Sequence, residues 1–177
     1  MTTWVALFRG INVGSHKRVA MSDLRELLES LGYGDVRTHL QSGNAVFRSS
    51  HGTAGKLEVQ IAAKLDTELG LDVKVLVRSA DDLVALVDSN PFIARRVDPK
   101  ELHLAFLSKA PPATKLAGLD PDGYAPDEFE VARRALYLRL PNGFQGARLP
   151  NLEKVLGVDA TLRSWKTVTR LRDLATG

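Results

Sequence analysis

The sequence predicts an α+β protein made of two βαββαβ halves, and three observations carry that prediction. Apolar, β-branched runs recur along the chain, each closed by glycine, proline, asparagine or serine. Between them lie stretches with leucines at helical spacing, such as Leu24, Leu27, Leu28 and Leu31 at i, i+3, i+4 and i+7. The order is strand, helix, strand, strand, helix, strand, and it is met twice.

The first strand is expected over Thr3–Phe8, running into Arg9-Gly10. A loop from Gly10 to Arg18 follows, and Ser22 is placed to cap a helix over Asp23–Leu31 that Gly32 and Gly34 stop. Two short strands, Asp35–Leu40 and Asn44–Ser49, are joined by the turn Gln41-Ser42-Gly43-Asn44. A helix over Thr53–Leu69, with Leu57, Ile61, Leu65 and Leu69 in register, ends at Gly70, and a strand Val73–Arg78 completes the unit. Such a unit is ferredoxin-like. Ser79 caps a connecting helix over Ala80–Ser89, ended by Asn90-Pro91. The second unit is expected as a strand Leu102–Leu107, a helix Ala113–Leu119, strands Glu128–Ala132 and Ala135–Arg139, and a helix Leu152–Leu156. Ala160–Arg163 is a strand or a turn before a last helix at Trp165–Leu174. The halves are expected as residues 1–78 and 79–177, packed into one compact unit. No residue-level repeat is visible between them, so the duplication reads as one of element order alone.

The composition narrows the chemistry. Among 177 residues there is no cysteine, which removes disulfides, thiolate metal sites and thiol nucleophiles. Lys and Arg number 24 against 21 Asp and Glu, a net charge of +3 that argues only weakly for a nucleic-acid partner. The longest apolar stretches, Val73–Val77 and Leu83–Val87, are far too short to span a bilayer. Trp4-Val5-Ala6-Leu7-Phe8 follows the first residues with no basic region and no cleavage signal, so a cytoplasmic protein without a membrane partner is expected. The histidines, His16, His39, His51 and His103, show no ligand spacing, and no metal is expected. No serine stands in a G-x-S-x-G elbow, which leaves a hydrolase triad without support. No cofactor and no reaction can be named from these residues.

Three ordered stretches are familiar together. They are Leu7-Phe8-Arg9-Gly10-Ile11-Asn12-Val13-Gly14, then Gln41-Ser42-Gly43-Asn44-Ala45-Val46-Phe47, and finally Thr161-Leu162-Arg163-Ser164-Trp165-Lys166-Thr167-Val168. In these the chain resembles the bacterial "domain of unknown function 1697" family, with its RGINVG opening, QSGN hairpin and R-x-W-x-T-V ending. Ser15 and Ser164 stand where the family more often has Gly and Asn. The resemblance covers essentially the whole chain and implies an α+β fold of ferredoxin-like halves. It implies no activity.

Each motif has a functional and a structural reading. The loop Arg9–Arg18 combines glycines, free amides and the basic residues Arg9, Lys17 and Arg18, which suits an anion. It matches neither GxxxxGK[ST] nor GxGxxG, and its plainer reading is a long connection whose Ile11 and Val13 plug an apolar gap, with a partner-binding loop as the third. In the βαββαβ order the first and third strands are antiparallel neighbours, so Arg9 and Asn44 are expected at one end of the sheet. Arg9, Asn12, Ser42 and Asn44 are then in reach of one another; the plain alternative is turn chemistry at Gly43 and Asn44. Arg163, Trp165, Lys166 and Thr167 present a tryptophan among basic residues, suited to stacking on a ligand or to anchoring the last helix, with Ser164 or Thr167 as its cap. The candidate ligand-binding residues are therefore Arg9, Asn12, Lys17, Ser42, Asn44, Arg163 and Trp165.

Three functions are open. The first is binding, or chemistry, on an anionic or phosphorylated small molecule at the first loop. The second is single-stranded nucleic-acid binding on the first sheet, where Trp4 and Phe8 share a face and Phe47 can join them. The third is a non-catalytic interaction module, a homodimer through sheet edges among its forms.

Overall fold

The computed structural model describes residues 1–15, 17–39 and 43–177. The protein is α+β, in two halves, with a four-stranded antiparallel sheet in each. The first sheet holds β1 (Thr2–Phe8), β2 (Gly34–Thr38), β3 (Asn44–Ser49) and β4 (Val75–Ser79) in the order β2-β3-β1-β4. The second holds β5 (Leu102–Leu107), β6 (Glu128–Val131), β7 (Ala135–Arg139) and β8 (Ala160–Ser164) in the order β6-β7-β5-β8. Helices α1 (Met21–Ser30) and α2 (Ala54–Leu69) connect the first set of strands. The connecting helices α3 (Ala80–Asp88) and α4 (Pro91–Ala94) come next in the chain, then α5 (Ala113–Ala117) and α6 (Leu152–Leu156) within the second set, and α7 (Trp165–Thr176) ends it. By compactness the chain forms two units, residues 1–85 with 170–177, and residues 86–169. Helix α3 thus leaves the first unit for the second, and α7 returns.

Along β1, Val5, Ala6, Leu7 and Phe8 are all buried, so the strand is covered on both faces. Ala6 and Phe8 face one way with Ala45, Phe47, Val75 and Val77, and they join Leu24 and Leu28 of α1 and Leu57, Ile61 and Leu65 of α2 in one core. Full burial of such a side chain contributes about 1.5–3 kcal/mol. Tyr33 stacks on Phe47 with ring centroids 4.5 Å apart, and its hydroxyl donates to Gln60 at 3.2 Å. The opposite face carries Val5, Leu7, Val46 and Leu76, together with two buried polar residues, Asn44 and Arg78. In the second unit Ala105, Leu107, Leu136 and Leu138 pack with Leu152 and Leu156 of α6. The other face there carries Leu104, Phe106, Tyr137 and Arg163. The Tyr137 hydroxyl donates to the Leu86 carbonyl at 2.7 Å, which sets the last turns of α3 over that face.

Three sequence expectations need correction. Ser22 is not a cap: α1 starts at Met21, and Ala20 precedes it with no side-chain hydrogen bond. Its entry is fixed from outside the helix, where the Asn12 side chain holds the backbone of Val19. Asn90-Pro91 is a start as well as a stop, because Asn90 Oδ1 accepts from the Phe92 amide at 3.0 Å and opens α4 with Pro91 in its first turn. The duplication, finally, is not of element order alone. Phe8 N donates to the Gly43 carbonyl and Arg9 N to that of Lys74, as Leu107 N does to Arg134 and Ser108 N to Asp159.

That shared register puts like residues at like positions. Arg48 and Arg139 correspond, and each pairs with a carboxylate on the neighbouring strand, Asp35 at 3.2 Å and Glu128 at 2.7 Å. Arg78 and Arg163 correspond and are both buried, each donating to the preceding carbonyl, of Val77 at 2.9 Å and of Leu162 at 2.8 Å. Ser79 and Ser164 follow them, accepting from the amides of Asp82 and Thr167 at 3.1 and 3.3 Å to cap α3 and α7. The capping role expected of Ser79 and Ser164 is thus present, and it is the same role in both halves.

The turn into β3 depends on a missing side chain. A Cβ on Gly43 falls 2.6 Å from Ile11 Cγ1 and 2.9 Å from Phe8 Cβ, at a φ of +91°. Gly43→Ala is therefore expected to destabilise the protein by about 2 kcal/mol or more, from strain and overpacking together. Denaturant unfolding measures it, and adding Ile11→Ala is expected to return part of the loss.

Candidate functional site

The first loop leaves β1 at Arg9 and is held shut by one residue. Asn12 stands in the left-handed region at φ +54°, and its amide N–H donates to the Lys17 carbonyl at 3.0 Å. Its side chain then grips Val19 from both sides: Nδ2 donates to the Val19 carbonyl at 2.9 Å and Oδ1 accepts from the Val19 amide at 2.8 Å. Ile11 is buried, packed against Gly43, whereas Val13 is 66% exposed. Of the two residues read as plugs, only Ile11 is one. Lys17 is also left-handed, at φ +51°, a conformation that costs about 1 kcal/mol or more for a side chain of its size. Its Nζ donates to the Asp72 carbonyl at 2.6 Å, so the far end of the loop is tied to the lead-in of β4.

This tie closes one side of a cavity of about 590 Å³. Arg9, Gly10 and Lys17 line it from the β1 end and the loop, Asp72, Val73 and Lys74 from the approach to β4, and Ala62 from α2. Val73 is buried and gives the wall an apolar patch, while Arg9, Lys17, Asp72 and Lys74 are exposed. Their closeness follows from the strand order. β1 and β4 are antiparallel neighbours, so the residue after β1 meets the residue before β4, and Arg9 N donates to the Lys74 carbonyl at 3.0 Å. Three basic residues from three segments thus line a space of ligand size, with one acidic residue among them.

The structure separates the residues that the sequence puts forward. Arg9 and Lys17 line the cavity, and Asn12 holds the loop beside it. Arg9 and Asn44 do lie at one end of the sheet, since Leu7 is opposite Asn44. Asn44 is buried, however, on the face away from α1 and α2, where its Nδ2 donates to the His39 carbonyl at 2.9 Å. Ser42 lies outside the described residues, as do Gln41, Leu40 and His16. Arg163 and Trp165 belong to the second unit, at the end of β8 and the start of α7, and both are buried. Burial pushes the Arg163 guanidinium down to about 10, and it donates to Thr161 Oγ1 at 2.7 Å. Burial likewise lowers the His103 imidazole. Among the described residues no group of three or more His, Asp or Glu is gathered as a metal site needs. Two charged lining residues were missed, Asp72 and Lys74. The signal was present: the expected strand order already makes the lead-in of β4 a neighbour of Arg9.

Fold and cavity together define a two-sheet α+β protein with a cationic recess beside its first strand. The chain belongs to the family described as protein of unknown function (DUF1697), whose model matches residues 1–137. The opening and hairpin motifs fall inside that span, and the Thr161–Val168 motif falls beyond it. The structure is similar to that of SP0830, a conserved bacterial protein from Streptococcus pneumoniae, with a TM-score of 0.74 at 19% identity over 99% of each chain. That likeness shows the fold. No curated protein matches the chain. Among the described residues no helix is long and apolar enough to cross a membrane.

The grip of Asn12 on Val19 has a direct test. Asn12→Ala removes two part-buried hydrogen bonds and is expected to cost about 1–3 kcal/mol. Amide hydrogen exchange is expected to quicken at Val19 and through the loop while β3 stays protected.

Proposed function

We propose that the protein binds an anionic or phosphorylated small molecule, in the cytoplasm, in the cavity beside its first loop. The observation that carries the reading is the convergence of Arg9, Lys17 and Lys74 on one space of about 590 Å³. Lys17 is pre-positioned by its bond to the Asp72 carbonyl, and the loop that bears it is braced by Asn12. Ordering costs are thereby met before a ligand arrives, which favours affinity. Asn12 acts here as a positioning residue. The other reading, single-stranded nucleic acid on the first sheet, relies on Trp4, Phe8 and Phe47 as a stacking surface. Those residues face α1 and α2, with Phe8 and Phe47 fully buried, which supports the small-molecule reading over it.

The test is calorimetric titration of the full chain with inorganic phosphate and pyrophosphate at low and moderate salt. Saturable binding is expected that weakens as salt rises. Arg9→Ala and Lys74→Ala are each expected to weaken it roughly tenfold or more, the worth of a lost bond to a charged group. Wild-type affinity in both variants sinks the reading, and salt-dependent binding of oligonucleotides without phosphate binding turns it toward nucleic acid.

A further inference from the structure

We propose that Lys17 is a latch on this cavity: its ammonium on the Asp72 carbonyl holds one wall closed, and release of that bond opens the recess to solvent. The latch serves whatever molecule the cavity takes, so it stands independently of the anion-binding reading. The ties around the cavity differ in what stands behind them. At the base of the loop, Asn12 makes two part-buried hydrogen bonds to the backbone of Val19. Across the cavity, the lead-in of β4 is pinned on both sides of Asp72. Leu71 N donates to the Leu65 carbonyl at 3.3 Å in the turn that closes α2, and Arg9 N donates to the Lys74 carbonyl at 3.0 Å. Asp72 therefore offers its carbonyl from a fixed post. The tie from the loop to that post is the Lys17 Nζ bond at 2.6 Å, and it is exposed to water.

Lys17 is also held against its own backbone preference. At φ +51° it stands in the left-handed region, which a residue with a Cβ adopts only when something else holds it there. The bond to Asp72 works against that strain. An exposed hydrogen bond from a long side chain adds little net stability, because water replaces it and the side chain regains rotamer freedom on release. Bond and strain thus nearly offset one another, and the closed arrangement is favoured by a small margin. A small margin is the condition for a segment to open locally while the rest of its unit stays folded. Opening here uncovers no core, since Lys17, Arg18 and Asp72 are already exposed. It lets Lys17 leave the left-handed region while the Asn12 grip keeps the base of the loop in place. The Asn12 amide, which donates to the Lys17 carbonyl at 3.0 Å, is the backbone group that opening uncovers.

The chain has no cysteine, so one introduced at Ala62, in the cavity lining on α2, reports on access. Its reaction rate with N-ethylmaleimide, a neutral reagent, is measured in the full chain for Ala62→Cys alone and combined with Lys17→Met or Lys17→Arg. Amide hydrogen exchange is followed in the same proteins. Methionine keeps the reach of the side chain and removes the donor, whereas arginine keeps a donor. Lys17→Met is expected to speed both the thiol reaction and exchange at the Asn12 amide roughly threefold or more, the worth of a modest hydrogen bond. Lys17→Arg is expected to stay near the parent rate. Loss of a nearby cation leaves less of the thiol as reactive thiolate, so a faster reaction reports access and not reactivity. The Phe8 amide, bonded to the Gly43 carbonyl, is expected to stay protected throughout. Unchanged rates in Lys17→Met overturn the latch. Equal acceleration by Lys17→Met and Lys17→Arg overturns it as well, because the donor is then irrelevant. So does faster exchange at Phe8, which marks loosening of the whole unit rather than release of one tie.

Discussion

Val5, Ala6, Leu7 and Phe8 all lie out of water, and the same holds for Leu104, Ala105, Phe106 and Leu107 in the second half. A strand buried on both faces has no room for reactive polar groups along its length, because each one left unsatisfied there costs several kcal/mol. The few polar residues that do enter are bound at once to backbone carbonyls: Asn44 to His39, Arg78 to Val77, Arg163 to Leu162. The cavity stands where β1 stops and β4 has not yet begun.

Much of this was legible from the sequence. Period-2 and period-3.6 patterns place seven of the eight strands and every α-helix but α4, because burial imposes those periods directly, while β8 reads as a strand or a turn. Strand ends are less legible. Val73 reads as strand because it is apolar and β-branched, yet it is buried ahead of β4 as part of the cavity wall. Ser22 reads as a cap because its residue type favours capping, but the helix entry is governed by Asn12, remote in sequence and invisible to a local rule. The site was half legible for the same reason. Arg9 and Lys17 stand in a conspicuous loop, whereas Asp72 and Lys74 sit in an unremarkable connection and gain meaning only from the strand that lies beside them.

The duplication escaped sequence reading because its traces are sparse. Few residue types recur at matched positions, chiefly an arginine on the third strand and an Arg-Ser pair leaving the fourth, and connections of unequal length break their spacing. Each recurrence answers a structural need: a cross-strand ion pair, a buried guanidinium held by backbone, a helix cap. Where no such need operates, the halves have drifted apart in charge and loop length. The comparison thus separates residues kept by the fold from residues set by something outside it.

The fourth strand of each half carries a further consequence. Glu58 on α2 accepts from the amide of Val77 on β4 at 2.8 Å, and Glu153 on α6 accepts from that of Ala160 on β8 at the same distance. Both strands stand at the end of their sheet, where an outward N–H would invite another chain to add itself. At each of these positions a carboxylate already occupies the donor. A would-be fifth strand must displace an intramolecular acceptor at that point before it can dock, so each of these borders is blunted at one position by a helix that covers the sheet.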